Sequence, residues 1–333
     1  MTEASSYRLL LAALFVVMLA TAAASLAIGY VNFSLSAAVL DVLSGTPTLG
    51  AVILEELRLP RTLLGLIVGF TLGLAGAAMQ GFLRNPLAEP GIIGVSGAAS
   101  LGAVLVFYFG LAGVFSFALP LGGIAGAVVA GIALFALAGS GASTTTLILA
   151  GVAINSLAGA LVALALNLSP SPYAAVEIMF WLMGSLADRS LAQVFLVLPA
   201  IIIGWLLLLV TGRALDALSL GEETAASLGF DMRHLRLMVI SGTSLAVGSS
   251  VAISGAIGFV GLVVPHLLRP LVGHVPRNLL LASGLGGAIL TLAADIAVRL
   301  IDTQPELKLG VITAIIGAPF LLSLIWRLRR DPA

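Results

Sequence analysis

Long apolar stretches separated by short polar breaks run along almost the whole chain. Ten of them read as membrane-crossing helices: residues 8–30, 61–82, 92–112, 115–138, 144–167, 191–210, 234–256, 258–271, 277–300 and 310–327. Backbone facing lipid must bond within its own segment, and these runs are too long and too unalternating for barrel strands, so the elements are helices. The eighth run is short. About 14 residues at ~1.5 Å each reach roughly 21 Å, less than the ~30 Å of an average hydrocarbon layer. It is therefore expected to be buried among its neighbours or continuous with an irregular lead at Gly255-Ala-Ile-Gly-Phe259. Counts of nine or eleven stay open on pattern alone.

Small residues recur inside the runs at helical spacing. Gly65, Gly69, Gly73, Ala77 and Gly81 fall every fourth residue along the second span. Such a stripe lets helix backbones approach closely, either as static packing or as a surface on which helices slide. The fifth span carries Gly151, Asn155, Gly159, Ala163 and Asn167 at the same step. Its two asparagines are costly against lipid and are expected to face protein or a cavity, as interhelical hydrogen bonds or as part of a pathway. Gln80, near the inner end of the second span, carries the same two readings. Outside the spans, residues 31–60 hold a candidate amphipathic helix, "NFSLSAAVLDVL". Residues 168–190 hold a stretch too short to cross and return, expected at the interface with Trp181 near headgroup depth.

Composition agrees with this pattern. Hydrophobic residues make up 60% of the 333 and charged residues 9%, against about 25% charged in a soluble domain, and mean hydropathy is +1.19. An all-α polytopic membrane protein with a single domain over residues 1–333 follows. The first apolar run is read as an uncleaved span, since many equally long runs follow it. Net charge is zero, so no bulk attraction to nucleic acid is implied. Cysteine is absent, which excludes disulfides and thiolate sites. With the N-terminus inside, Arg8, Arg84, Arg213, Arg233, Arg236, Arg269, Arg277, Arg327, Arg329 and Arg330 lie on the cytoplasmic side. Arg58, Arg61, Arg189, Arg299 and Lys308 lie outside. That two-to-one bias predicts both termini inside, which needs an even number of spans.

Little chemistry is legible. There is no G-x-x-x-x-G-K-[ST] phosphate loop, no H-E-x-x-H and no G-x-S-x-G. His234, His266 and His274 sit at different span ends and suggest no metal site, and no cofactor is expected. Asp295 and Arg299 are four apart and are expected to pair along one helix face. Arg299 would also reach an outer rim with Arg58 and Arg61, where guanidinium forks suit carboxylates from a partner. On the inner side, "LSLGEETAASLGF" (218–230) interrupts the apolar pattern with Glu222 and Glu223. Ser219 followed by Glu222 predicts a capping box, and Gly229 a C-terminal stop, bounding a short helix at about 219–228. A helix this short is marginal in water and needs something to pack on. A pump without its own motor needs an external one, and the two glutamates stand where a motor could push.

Taken together, these motifs resemble the permease family of bacterial ABC importers for iron-siderophores, haem and cobalamin. The matching stretches are "RLPRTLLGLIVG" (58–69), "GAAMQGFLRNPLAEPGIIGVSGAA" (76–99), "LSLGEETAASLGF" (218–230), "SGAIGFVGLVVPHLLRPLVG" (254–273), "LTLAADIAVRL" (290–300) and "ELKLGVITAIIGAPFLL" (306–322). The resemblance implies a ten-span type II importer fold in the bacterial inner membrane, and a homodimer or close-paralogue heterodimer around a central path. It also implies two cytoplasmic ATPase subunits and a periplasmic substrate-binding protein. It makes the helix at 219–228 the coupling helix, with Glu222 and Glu223 as contacts for the ATPase. It makes Arg58, Arg61 and Arg299 the acceptors of the binding protein's carboxylates. Departures are local: Gly273-His-Val-Pro-Arg277 replaces the usual GxDHR, Lys308 replaces a proline in ELPxG, and Glu89 stands where aspartate is common.

The expected activity is ATP-driven import of an iron chelate, with haem or cobalamin as alternatives and no catalysis in this chain. A passive channel or ion-coupled carrier is the rival of a different class. An intramembrane enzyme lacks paired catalytic residues.

Overall fold

The computed structural model describes residues 3–138, 143–301, 303 and 305–330. The side chains of the basic cluster Arg327, Arg329 and Arg330 lie outside the described residues. Among the described residues there is no strand. The helices are α1 (Glu3–Ala27), α2 (Leu35–Ser44), α3 (Leu49–Val52), α4 (Leu59–Phe82), α5 (Val95–Tyr108), α6 (Ala118–Ala138), α7 (Thr144–Asn167) and α8 (Pro172–Leu182). They continue as α9 (Leu191–Val210), α10 (Gly212–Leu218), α11 (Glu222–Ser227), α12 (Met232–Ser254), α13 (Val260–Leu268), α14 (Pro276–Leu300) and α15 (Leu309–Arg330). Ten of them, α1, α4–α7, α9 and α12–α15, match the ten apolar runs. Seven stretches among the described residues are long and apolar enough to cross a membrane, while α5, α13 and the described part of α15 are shorter.

The centre of the bundle is the seam between α4 and α14, the most extensive helix pairing in the molecule. A Cβ added at Gly69 would lie 2.7 Å from the Cα of Ala288, and one at Gly73 would lie 2.7 Å from the carbonyl carbon of Ser283. Gly287 answers from α14, where a Cβ would come within 3.1 Å of the Cα of Gly73. Backbone lies directly on backbone, which only glycine permits. Gly65 meets the side chains of Leu292 and Leu186 instead. The four-residue stripe is thus a close-packed helix surface at its centre. Around it, α12 packs on α9 and α6, α5 on α6 and α7, and α1 lies along α14.

The two short spans have a common cause. α5 begins only at Val95 because the segment before it, with Pro86 and Pro90, folds as a turn and a single 3-10 helix over Pro90–Ile93. α13 begins only at Val260 because Gly255–Phe259 is non-helical, as the irregular lead suggested. The two irregular stretches meet: the Glu89 carboxylate accepts the backbone N–H of Phe259 at 2.8 Å. Phe259 has φ +68°, unusual for a residue with a side chain, and its ring fills the space opposite Gly317 on α15. Non-helical backbone is tolerated at such depth because it is enclosed by protein.

Three shorter helices complete the fold. In α2 the Ser34 hydroxyl accepts the N–H of Ala37, and Gly45 at φ +69° ends it. α3 runs through a π-helical turn over Ile53–Arg58 into α4. In α8, Trp181 is buried and meets Phe107 edge-on at 6.2 Å, so it serves as packing for α5.

Candidate functional site

The connector between α9 and α12 is built from two short helices. The predicted helix over about 219–228 proves shorter, and its capping box is absent. The Ser219 hydroxyl turns back to donate to the carbonyl of Asp216 at 2.6 Å, closing α10. Gly221 then adopts φ +111° and ψ 154°, a conformation open essentially to glycine, and α11 starts at Glu222 without a side-chain cap. The stop is as expected: Gly229 has φ +88°, and the N–H groups of Gly229 and Phe230 bond back to Ala226 and Ala225.

Six residues of helix are far below the ~12–15 needed for independent stability in water. α11 persists by resting on α10 and α12, with Ala225 fully buried beneath it. Its other faces are bare. Glu222, Glu223, Leu220 and Leu228 are all exposed. Below it, Leu215 of α10 is fully buried and approaches Gly81 at the end of α4. Two aspartates that sequence reading missed anchor this connector. Asp231 caps α12 by accepting the N–H groups of Arg233 at 2.8 Å and His234 at 3.3 Å. Asp216 accepts the N–H of Arg277, the second residue of α14, at 2.9 Å. Asp231, standing just before an apolar periodic run, carried a readable N-cap signal. Asp216 carried none, because its partner is far along the chain.

The opposite end holds the three arginines. The structure brings Arg58, Arg61 and Arg299 together around a cavity of about 280 Å³ that Glu56, Asp188, Arg189 and Glu306 also line. Each is already engaged within the chain. Arg58 donates to the carbonyls of Leu26 (2.8 Å), Ala27 (2.6 Å) and Val31, and stacks over Phe33 at 4.2 Å. Arg299 donates to the carbonyls of Ser25 (2.8 Å) and Ile28 (2.7 Å) and to the Ser25 hydroxyl (2.7 Å). It also pairs with Asp295 at 2.9 Å, the i,i+4 pair read from the sequence. Arg61 bridges Asp295 at 2.8 Å and Glu306. Two of the three therefore satisfy the last carbonyls of α1, which a helix end otherwise leaves open. Arg189, in the loop before α9, donates from Nε to the carbonyl of Ile253 at 2.6 Å. Burial lowers its pKa, and Asp188 beside it works in the opposite direction.

The polar residues of the spans divide. Gln80 is buried and ties α4 to α13: its amide nitrogen donates to the carbonyl of Leu262 at 3.3 Å, and its oxygen accepts from Arg269 at 2.6 Å. Asn155 and Asn167 lie on an exposed side of α7, although the Asn155 side chain also rests against Gly97 of α5. Nothing stands within 4 Å of a Cβ built at Gly159 between them. A second open surface is an apolar groove between α15, α8 and the lead into α13, lined by Met183, Ala256, Val311, Ala314 and Ile315, among others. Among the described residues no group of three or more His, Asp or Glu side chains could hold a metal.

A bundle of long apolar helices with a bare acidic connector helix at one end and three clustered arginines at the other points to one class, the membrane-crossing subunit of a transporter. Comparison with known proteins narrows it. The sequence model of the FecCD transport family matches residues 8–327, and the chain belongs to that family. It is 41% identical to YvrB, an ABC transporter permease protein of Bacillus subtilis, over 84% of this chain and 80% of that one. It is 43% identical to the vitamin B12 import system permease BtuC of Vibrio cholerae, over 83% and 82%. With the cobalamin import permease BtuC of Halobacterium salinarum the identity is 39%, over 84% and 75%. Among solved structures, an inward-facing transporter described as of the metal-chelate ABC type superposes with a TM-score of 0.81 at 34% identity. That match covers 97% of this chain and all of the other. The chain is thus a multi-pass inner-membrane permease with an ABC-importer fold, and ATP hydrolysis belongs to separate partner subunits.

Proposed function

We propose that this permease imports a metal chelate, and that ATPase movement enters it through α11. The observation that carries this is the bare inner face of α11: two adjacent glutamates with Leu220 and Leu228 beside them, on a helix too short to stand alone. A solvated connector has no need of exposed leucines there, whereas a soluble ATPase surface would cover both. In this reading both termini are cytoplasmic, in keeping with the arginine bias. An acidic surface of a substrate-binding protein seats over the rim formed by Arg58, Arg61 and Arg299. A second copy, or a close paralogue, covers the exposed side of α7 with Asn155 and Asn167 and the groove beside α15, and the path runs between the copies. Closure of the ATPase pair then turns the cavity from one side to the other, as alternating access requires.

The chelate is proposed to be a cobalamin. Several relatives near 40% identity carry that name or that of vitamin B12. An iron-siderophore is the second reading, supported by the breadth of the resembling family. Competing uptake of labelled cyanocobalamin and ferric siderophores separates the two.

The coupling role is tested by Glu222→Ala with Glu223→Ala in vesicles containing the full transporter. The double variant should insert normally and lose most chelate-stimulated ATP hydrolysis and uptake. Full stimulation with full uptake would sink the assignment. A passive or ion-coupled carrier predicts uptake without any ATPase, and such uptake by the purified chain would overturn the whole reading.

A further inference from the structure

α14 is 25 residues long and has no cap of its own. Val275 stands at its N-cap position without a side-chain bond, and Pro276 follows. The cap comes instead from the connector: Asp216 Oδ1 accepts the N–H of Arg277 at 2.9 Å, and Oδ2 lies 3.4 Å from Arg277 Nε. A carboxylate at this place satisfies one open donor of the first turn and meets the positive end of the helix dipole. Gly212, one turn earlier on α10, brings that helix close: a Cβ there would lie 2.8 Å from Arg277 Cβ. Downstream, Asp231 caps α12. The connector is thus bracketed by two aspartates, each seated on the first turn of a long span, with α11 between them. One of those spans packs along α4, the other on α9 and α6.

We propose that Asp216 is the positioning residue through which movement of α11 reaches α14, an inference that rests on the coupling reading above. Of the two seats, the one on α12 is made within a single stretch of chain and moves with it regardless. The seat on α14 joins segments 61 residues apart in sequence, so it is the hydrogen-bonded link by which a push on α11 reaches the first turn of α14, beside the apolar contact of Leu215 with the end of α4. Its charge is secondary. Arg277 is well exposed, and an exposed ion pair contributes little. What matters is an acceptor oxygen on a backbone N–H.

That distinction sets the test. Asp216→Ala removes the acceptor, whereas Asp216→Asn keeps it, since asparagine caps as well as aspartate. In vesicles holding the full transporter with cyanocobalamin as probe, Asp216→Ala should lower the chelate moved per ATP hydrolysed several-fold, and Asp216→Asn should stay near wild type. Hydrogen exchange of the amides of residues 277–280 should quicken about five-fold in the alanine variant only. Gly212→Ala, which wedges α10 from α14, provides an independent perturbation and should uncouple in the same direction. Exchange unchanged in Asp216→Ala would overturn the cap, and quickened exchange with wild-type coupling would overturn the transmission role. Equal uncoupling by Asn and Ala would also overturn it. ATP-independent uptake by wild-type protein would overturn the function reading itself, while the exchange result would still report on the cap.

Discussion

Two glycines on α4, eight residues apart, should answer the same substitution in opposite ways. At Gly73 an added methyl falls onto the Ser283 carbonyl, 2.7 Å from its carbon and 3.2 Å from the Cα of Gly287. Carbon atoms in ordinary contact sit about 3.5–4.0 Å apart, and the Ser283 oxygen is nearer still, so the two helices must separate by more than about 1 Å. Both obstructing groups are backbone, and neither can rotate away. Overpacking of this kind costs about 1–3 kcal/mol, and the upper end applies because the shift also opens the Gly69–Gly287 contact on the same seam. Alanine's better helix propensity returns roughly 1 kcal/mol. The net loss for Gly73→Ala is about 2 kcal/mol. At Gly81 the nearest atoms are side-chain carbons of Leu215 at 3.5 Å, an ordinary contact. There the propensity gain stands alone, at up to about 1 kcal/mol. Thermal unfolding in detergent, followed by the fraction remaining monodisperse, reads the difference. Gly73→Ala should melt several degrees below wild type and Gly81→Ala level with it or above. A Gly73→Ala protein as stable as wild type, or equal shifts at both positions, would refute the backbone-on-backbone account.

Further outcomes follow from the two ends of the molecule. Arg299→Leu leaves buried Asp295 to Arg61 alone and orphans the carbonyls of Ser25 and Ile28; each buried carbonyl left without a partner costs about 1–3 kcal/mol. Limited proteolysis at residues 28–34 should accelerate sharply, and Arg299→Lys should not restore protection, because an ammonium lacks the planar fork. Ser219→Ala should change stability by less than about 0.5 kcal/mol, since its hydroxyl only closes α10. A loss of about 1 kcal/mol, the usual value of an N-cap, would restore the capping box that the structure lacks.

Periodicity carried most of the architecture, because each span is written in its own apolar run and lipid admits few alternatives. The stripe through Gly69 and Gly73, the Asp295–Arg299 pair and the Gly229 stop were legible for the same reason: each is decided within a turn or two of helix. What was not legible is what crosses the chain. The Arg61 bridge to Asp295 and Glu306 spans more than 230 residues, and no spacing rule reaches that far. The hydrogen bond from Phe259 to Glu89 joins two loops whose depth only packing defines. Ser219 illustrates a local rule overruled: its spacing to Glu222 fits a capping box, yet Gly221 between them takes a conformation that separates two helices. The rim arginines were found by charge placement, but not their engagement with the end of α1, since carbonyl acceptors leave no mark in a sequence.

α1 is covered on one side only, with Leu10, Leu11 and Leu14 against the bundle and Leu9, Phe15, Val16 and Leu19 turned outward. Side-chain hydrogen bonds tie it to α14 at both ends of their shared length. Tyr7 donates to the carbonyl of Asn278 at 3.1 Å where α14 begins, and Ser25 and Ile28 hold Arg299 where α14 finishes. Strapped in parallel like an outrigger, α1 must lean whenever its companion leans. Acyl chains on this flank therefore touch a leucine, valine and phenylalanine wall rather than the glycines behind it. A bilayer whose thickness mismatches α1 bears at once on α14, so lipid composition gains leverage on α14 through its companion.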